Sequence, residues 1–303
     1  MSKRSPFPIR EGYLPFHGHK TWYRIVGDQD KPGKLPLICL HGGPGATHDY
    51  FGSLEAFAAT GRRVVLYDQI GWGNSDHIHD PSFWTMDLFV DELKAVRKAL
   101  GLSRAHILGH SWGGMLALEY ALTRPKGLAS LVLANTLSSS AQWAHEAKRL
   151  IKQLPLDVQD VIHKNETAGT IDSPVYRAAM REYSRHYGGG HISPFPDWVK
   201  KAFKKIGTNE IYLTMWGPSE FCVTGTLKDW DVTPRLGEIQ VPALVLCGRD
   251  DEATPALART LHRGIPGSQM VIFERSAHFP HIEETELFLQ VLDTFLIRAE
   301  KSI

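Results

Sequence analysis

The pentapeptide Gly109-His110-Ser111-Trp112-Gly113 sets a serine in the pattern G-x-S-x-G. A short apolar run, Ala105–Leu108, precedes it, and a helix-like stretch, Ser111–Leu122, follows at once. A residue at so sharp a strand-to-helix turn is held in strained backbone geometry. Small neighbours avoid clashes there, and the hydroxyl is left exposed above a sheet. The helix N-terminus behind it favours developing negative charge. The chemistry implied is acyl transfer through a serine nucleophile. A chance glycine-rich turn is the bland alternative, and the strand–turn–helix setting argues against it.

Such a serine needs a base, an acid to orient that base, and donors for an oxyanion. In the chain order serine, acid, histidine, both partners come later. One strand-like run ends at Cys247 and is followed by Asp250-Asp251-Glu252, and another ends at Phe273 and is followed by Ser276-Ala277-His278. Active sites collect at such strand ends in parallel sheets. Among 15 histidines, His278 is therefore the candidate base, ahead of the nearby His281. His110, beside the serine, points away from it. Asp250 and Asp251 both suit the orienting carboxylate. The second oxyanion donor is expected from His41-Gly42-Gly43-Pro44-Gly45, whose glycines let backbone N–H groups approach a ligand closely. The assignment is the N–H of Gly43 with that of Trp112. A phosphate loop would need a following Gly-Lys-Ser/Thr, which is missing. Asp68, in Asp68-Gln69-Ile70-Gly71-Trp72-Gly73-Asn74-Ser75, reads as the anchor of a neighbouring loop.

These residues need a sheet to hold them. Apolar runs at Leu35–Leu40, Arg63–Tyr67, Ala105–Leu108, Leu128–Ala134, Ala243–Cys247 and Gln269–Phe273 alternate with amphipathic stretches such as Thr85–Leu100. That is the pattern of a mostly parallel sheet flanked by helices, closed here by Phe288–Arg298. The alternation lapses between residues 138 and 240, too long a stretch for a loop. Breakers such as Gly188-Gly189-Gly190 and Pro194-Phe195-Pro196 separate helix-like segments within it. The expected organisation is a core of residues 1–137 and 241–303 carrying a helical lid at 138–240.

Composition narrows the function classes. With 34 basic and 33 acidic residues the net charge is +1, which gives no footprint for nucleic acid or an anionic membrane. No run approaches a membrane span, and Met1-Ser2-Lys3-Arg4-Ser5-Pro6-Phe7-Pro8 lacks the apolar stretch of a signal peptide. Three scattered cysteines suggest neither a disulfide framework nor a metal site. A cytoplasmic enzyme with a small-molecule substrate and no cofactor or metal is expected.

At this point the chain resembles the proline iminopeptidase family of the α/β-hydrolase fold, and within it the tricorn-associated aminopeptidases. The resemblance rests on His41–Gly45, on Asp68-Gln69 with Gly71, Gly73 and Ser75, and on Gly109–Gly114. It continues through Gly217-Pro218-Ser219-Glu220-Phe221, Gly225–Asp231, Asp251-Glu252 with Thr254-Pro255, and His278. It implies a triad of Ser111, Asp251 and His278. It also implies that Glu220 and Glu252 bind the substrate's free α-amino group, a role two carboxylates suit because a prolyl ammonium carries two N–H donors. Surface charge is the bland reading of those two glutamates. The implied activity is release of an N-terminal residue, preferably proline, from short peptides through an acyl-enzyme. An L-amino-acid or L-proline amide hydrolase would share every motif, and a generic carboxylesterase would not need the two glutamates. Trp112, Trp216 and the lid aromatics are expected to line the substrate pocket.

Overall fold

The computed structural model describes residues 6–189, 192, 194–204, 206 and 209–302. Met1–Ser5 and Gly190, which entered the sequence reading, lie outside the described residues. Eight strands form one sheet: β1 (Ile9–Phe16), β2 (His19–Val26), β3 (Leu37–Leu40), β4 (Val64–Tyr67), β5 (Ala105–His110), β6 (Leu128–Ala134), β7 (Ala243–Gly248) and β8 (Gln269–Phe273). Their spatial order is β1-β2-β4-β3-β5-β6-β7-β8. Strands β3 to β8 run parallel, whereas β1 and β2 are antiparallel to each other, and β2 is antiparallel to β4.

The six apolar runs of the sequence are thus β3 to β8, and the sheet carries two more strands. The hairpin of β1 and β2 turns through His17 and Gly18, at φ 47° and 80°, with Phe16 paired to His19. Two successive residues at positive φ make the tight turn whose twist matches paired strands. Strand β3 begins at Leu37 rather than Leu35, because Pro36 has no N–H to give a ladder.

Strands β3 to β7 are buried throughout, and their side chains alternate between two helical layers. Ile38, Leu40, Val65 and Ile107 share a cluster with Phe89, Leu93 and Val96 of α1 (Met86–Ala99) and with Met115 and Leu118 of α2 (Trp112–Leu122). On the opposite face Leu37, Cys39, Val64 and Leu66 meet Phe288, Leu292, Phe295 and Leu296 of α10 (Thr285–Lys301), together with a 3-10 helix, His48–Thr60.

Between β6 and β7 the chain leaves the sheet and builds, among the described residues, a 3-10 helix (Thr233–Glu238) and five α-helices: α3 (Ser140–Ile151), α4 (Leu156–Ala168), α5 (Pro174–Tyr187), α6 (Asp197–Phe203) and α7 (Glu210–Met215). Helices α3, α4 and α5 share a small core of their own, with Leu150, Ile162, Tyr176, Tyr183 and Phe221. Its edge is tied to the sheet by Thr254 Oγ1, which donates to Glu146 Oε2 at 2.8 Å. A further tie is the Glu252 N–H, which donates to the Tyr187 carbonyl at 3.1 Å. After β7 come α8 (Pro255–Gly264) and, after β8, the short α9 (Pro280–Glu283). No helix among the described residues is long and apolar enough to cross a membrane.

Candidate active site

Ser111 sits between β5 and α2 with φ 55° and ψ −124°, a conformation that costs a non-glycine residue of order 1–3 kcal/mol. The bend is tight because two glycines permit it. A Cβ on Gly109 would lie 2.1 Å from the Gly113 carbonyl oxygen, and one on Gly113 would lie 2.0 Å from that of Leu40. The Ser111 carbonyl accepts from Gly114 N at 2.8 Å and from Thr136 Oγ1 at 2.7 Å, which leaves the side chain free to face a cavity of about 250 Å³.

His278 follows β8 and lines the same cavity. Its Nδ1 lies 2.7 Å from Asp251 Oδ1, beyond the end of β7. Asp251 is 1% exposed, whereas Asp250 is exposed. The two aspartates that spacing leaves equivalent are therefore separated by burial. Asn135 Nδ2 donates to Asp251 Oδ2 at 2.6 Å, and the Ala253 N–H donates to Oδ1 at 2.8 Å. Burial pushes the Asp251 carboxyl up, and these donors oppose that rise. Burial also drives the His278 imidazole down to about 3, so the ring is uncharged and can accept a proton. Among the described residues no hydrogen bond joins Ser111 Oγ to His278. Nε2 of the histidine instead has Glu252 Oε1 at 3.9 Å. Contacts of this kind are commonly long before substrate binds.

Gly43 lines the cavity at φ 116°, and Trp112 begins α2. Neither backbone N–H has a partner among the described residues, unlike Gly42 N, which donates to Tyr50 Oη at 2.7 Å. Gln69 braces both positions. Its Nε2 donates to the His41 carbonyl at 3.0 Å, and its Oε1 accepts from Trp112 Nε1 at 2.8 Å. Asp68 is a loop anchor, as expected: it accepts from His48 N, Asn74 N and Asn74 Nδ2 at 2.8–2.9 Å.

Glu220 and Glu252 line the same cavity. Tyr212 Oη donates to Glu220 Oε1 at 2.8 Å, and Trp143 Nε1 donates to the Glu220 carbonyl at 2.6 Å. No lysine or arginine among the described residues pairs with either carboxyl. Burial pushes Glu220 up to about 7. It raises Glu252 well above the carboxylate range, helped by the charges of Glu220 and Asp251.

The tryptophans depart from the sequence expectation. Trp112 is turned into the core to meet Gln69, and Trp216 packs edge-on against Trp143 at 5.6 Å between ring centroids. The aromatic wall of the cavity comes from Phe195 and Phe203, two of the aromatics of residues 138–240 expected to line it, and from Phe279. No group of residues arranged to hold a metal occurs among the described residues.

A serine at a strained turn after the strand beside β3, an acid after β7 and a histidine after β8 define the α/β-hydrolase class. The family model described as "alpha/beta hydrolase fold" matches residues 36–285. The chain is 42% identical over 289 residues to a proline iminopeptidase of Clostridioides difficile, covering 95% of this chain and 98% of the relative. It is 40% identical over 291 residues to one of Lactobacillus acidophilus, with the same coverages. Among solved structures, VinJ matches at TM-score 0.90 and 42% identity over 95% of this chain and 98% of that one. The proline iminopeptidase of Mycobacterium smegmatis matches at TM-score 0.90 and 40% identity, over 97% and 99%. Within the α/β hydrolases, the chain belongs to the proline iminopeptidase family.

Proposed function

We propose that the protein is a serine exopeptidase that releases an N-terminal residue, preferably proline, from short peptides. His278 Nε2 takes the Ser111 hydroxyl proton as Oγ attacks the substrate carbonyl carbon. The N–H groups of Gly43 and Trp112 hold the oxyanion. Asp251 keeps the proton of the ring on Nδ1 and balances the imidazolium that forms. That imidazolium then protonates the departing amine nitrogen, and water, activated by the same histidine, cleaves the acyl-enzyme. Residues 138–240 act as a lid on the core of residues 1–137 and 241–303, and Glu220 is their contribution to recognition. A cytoplasmic location belongs to the same proposal, supported by three free thiols.

The observation that carries this reading is the pair Glu220 and Glu252, a half-buried and a buried carboxyl that line the nucleophile's cavity, neither of them paired with a lysine or arginine among the described residues. A substrate ammonium supplies the missing charge and two N–H donors. An N-acylated substrate leaves them unpaired. Acetylating prolyl-arylamide should therefore lower kcat/KM by about 100-fold or more, the equivalent of roughly 3 kcal/mol. Ser111→Ala should abolish turnover in a folded protein. Activity indifferent to the acetyl group removes the role given to the glutamates. Comparing a Pro-Xaa dipeptide with prolinamide in the same assay separates the exopeptidase from an amide hydrolase, and a short-chain ester tests the carboxylesterase alternative.

A further inference from the structure

A second polar network lies behind the cavity. Tyr50, on the 3-10 helix His48–Thr60, is fully buried, and His110, the residue before the nucleophile, is 1% exposed. Tyr50 Oη accepts from Gly42 N at 2.7 Å and lies 3.0 Å from His110 Nδ1. His110 Nε2 lies 2.8 Å from the carbonyl oxygen of His278. We infer that Tyr50 and His110 are positioning residues that lock the oxyanion loop, the nucleophile turn and the base loop into one unit through a single directed chain of hydrogen bonds.

The direction of that chain follows from donor chemistry. A carbonyl oxygen only accepts, so His110 Nε2 carries the ring hydrogen. Burial, with His278 alongside, holds the His110 ring uncharged, so Nδ1 is a bare acceptor. Only the Tyr50 hydroxyl can then donate to it, while the lone pairs of Oη take the Gly42 N–H. The chain runs from Gly42 N–H to Tyr50 Oη–H to His110 Nδ1, and from His110 Nε2–H to the His278 carbonyl. Each link fixes a residue next to, or part of, the reacting set: Gly42 precedes the oxyanion donor Gly43, His110 precedes Ser111, and His278 is the base itself. The contact between Gly42 and the nucleophile is already close, since a Cβ on Gly42 would sit 3.1 Å from Ser111 Cβ. The rings of His281 and Phe279 pack on His110 at 5.2 and 5.4 Å between centroids.

The inference rests on the serine-hydrolase reading, and the test keeps the two apart. Turnover of prolyl-arylamide, together with inhibition by prolinal and by proline, is measured for the parent, Tyr50→Phe, His110→Leu and His110→Gln. Prolinal forms a tetrahedral adduct on the serine and so reports the oxyanion geometry, whereas proline reports ground-state binding. Tyr50→Phe should lower kcat by about 30-fold and weaken prolinal by a similar factor, with KM and proline affinity within about twofold. His110→Leu should behave alike, and the double variant should be no worse than either single one. His110→Gln, whose amide keeps one acceptor and one donor, should stay within about fivefold of the parent. A folded Tyr50→Phe with unchanged kcat overturns the inference, as does equal weakening of prolinal and proline. Should Tyr50→Phe fail to fold, equal loss in His110→Gln and His110→Leu overturns it. A parent that turns over none of the amides and does not react with a fluorophosphonate overturns the hydrolase reading instead.

Discussion

Two carboxyls that line one cavity, neither of them in an ion pair with a lysine or arginine, compete for one proton. In a cavity without ligand this is visible as a dependence of stability on pH. Glu220 ionises at about 7 in the folded chain against the ordinary 4.5. A raised carboxyl stabilises the fold fully below pH 4.5, and that contribution is lost as pH climbs toward 7, where the buried charge must be borne. Glu220→Gln should therefore match the parent in thermal unfolding at pH 4 and exceed it at pH 7.5. The gain should be on the order of 2 kcal/mol once the partial exposure of the side chain is allowed for. A difference that is flat across that interval means that burial does not raise the Glu220 carboxyl. On the proposed function, an ammonium bound between the two carboxyls would offset that cost.

At the scale of elements, the turn between β5 and α2 is the least forgiving. Gly113→Ala would drive a methyl group into the backbone of β3, with Leu40 O only 2.0 Å from the added carbon. Backbone there cannot give way without moving the strand that leads to Gly43. The substitution should cost at least about 3 kcal/mol in urea unfolding, or prevent folding; a loss under about 1 kcal/mol would show that the turn has slack. This turn was legible in the sequence because all its constraints are local: an apolar strand, small residues at fixed offsets and a helix. His278 was legible for the same reason, as a polar residue just past the last strand-like run. The choice between Asp250 and Asp251 was not, since adjacent positions differ only in which one the fold buries. The contacts of Tyr50 with His110, His110 with His278 and Asn135 with Asp251 were not legible either, because they span 60, 168 and 116 residues of sequence. The hairpin of β1 and β2 escaped because His17-Gly18 lacks the Asn-Gly or Asp-Gly signature of its turn, and its exposed positions break the apolar run.

For the molecule as a whole, the last helix is fastened to the far end of the sheet by ionic contacts well away from the cavity. Glu300 of α10 accepts from Arg62 Nη1 at 2.6 Å and from Leu35 N at 2.9 Å, and Arg62 is 1% exposed. Removing the carboxyl would leave a buried guanidinium with Asp293 as its remaining acidic partner. Glu300→Ala should cost about 3 kcal/mol of unfolding free energy while kcat stays within about twofold. A large fall in kcat at unchanged stability would tie that end of the molecule to the reaction. The opposite end is organised differently. The excursion through α3 to α7 departs from β6 and returns in β7, two strands that already pair with each other. Helices α3, α4 and α5 of that excursion pack on a core of their own, so that part can drift or lengthen while the strands that bear Ser111, Asp251 and His278 keep their register. On the proposed function, new preferences for the amine-bearing end of a substrate would then evolve as a cassette, without reinventing the bond-breaking apparatus.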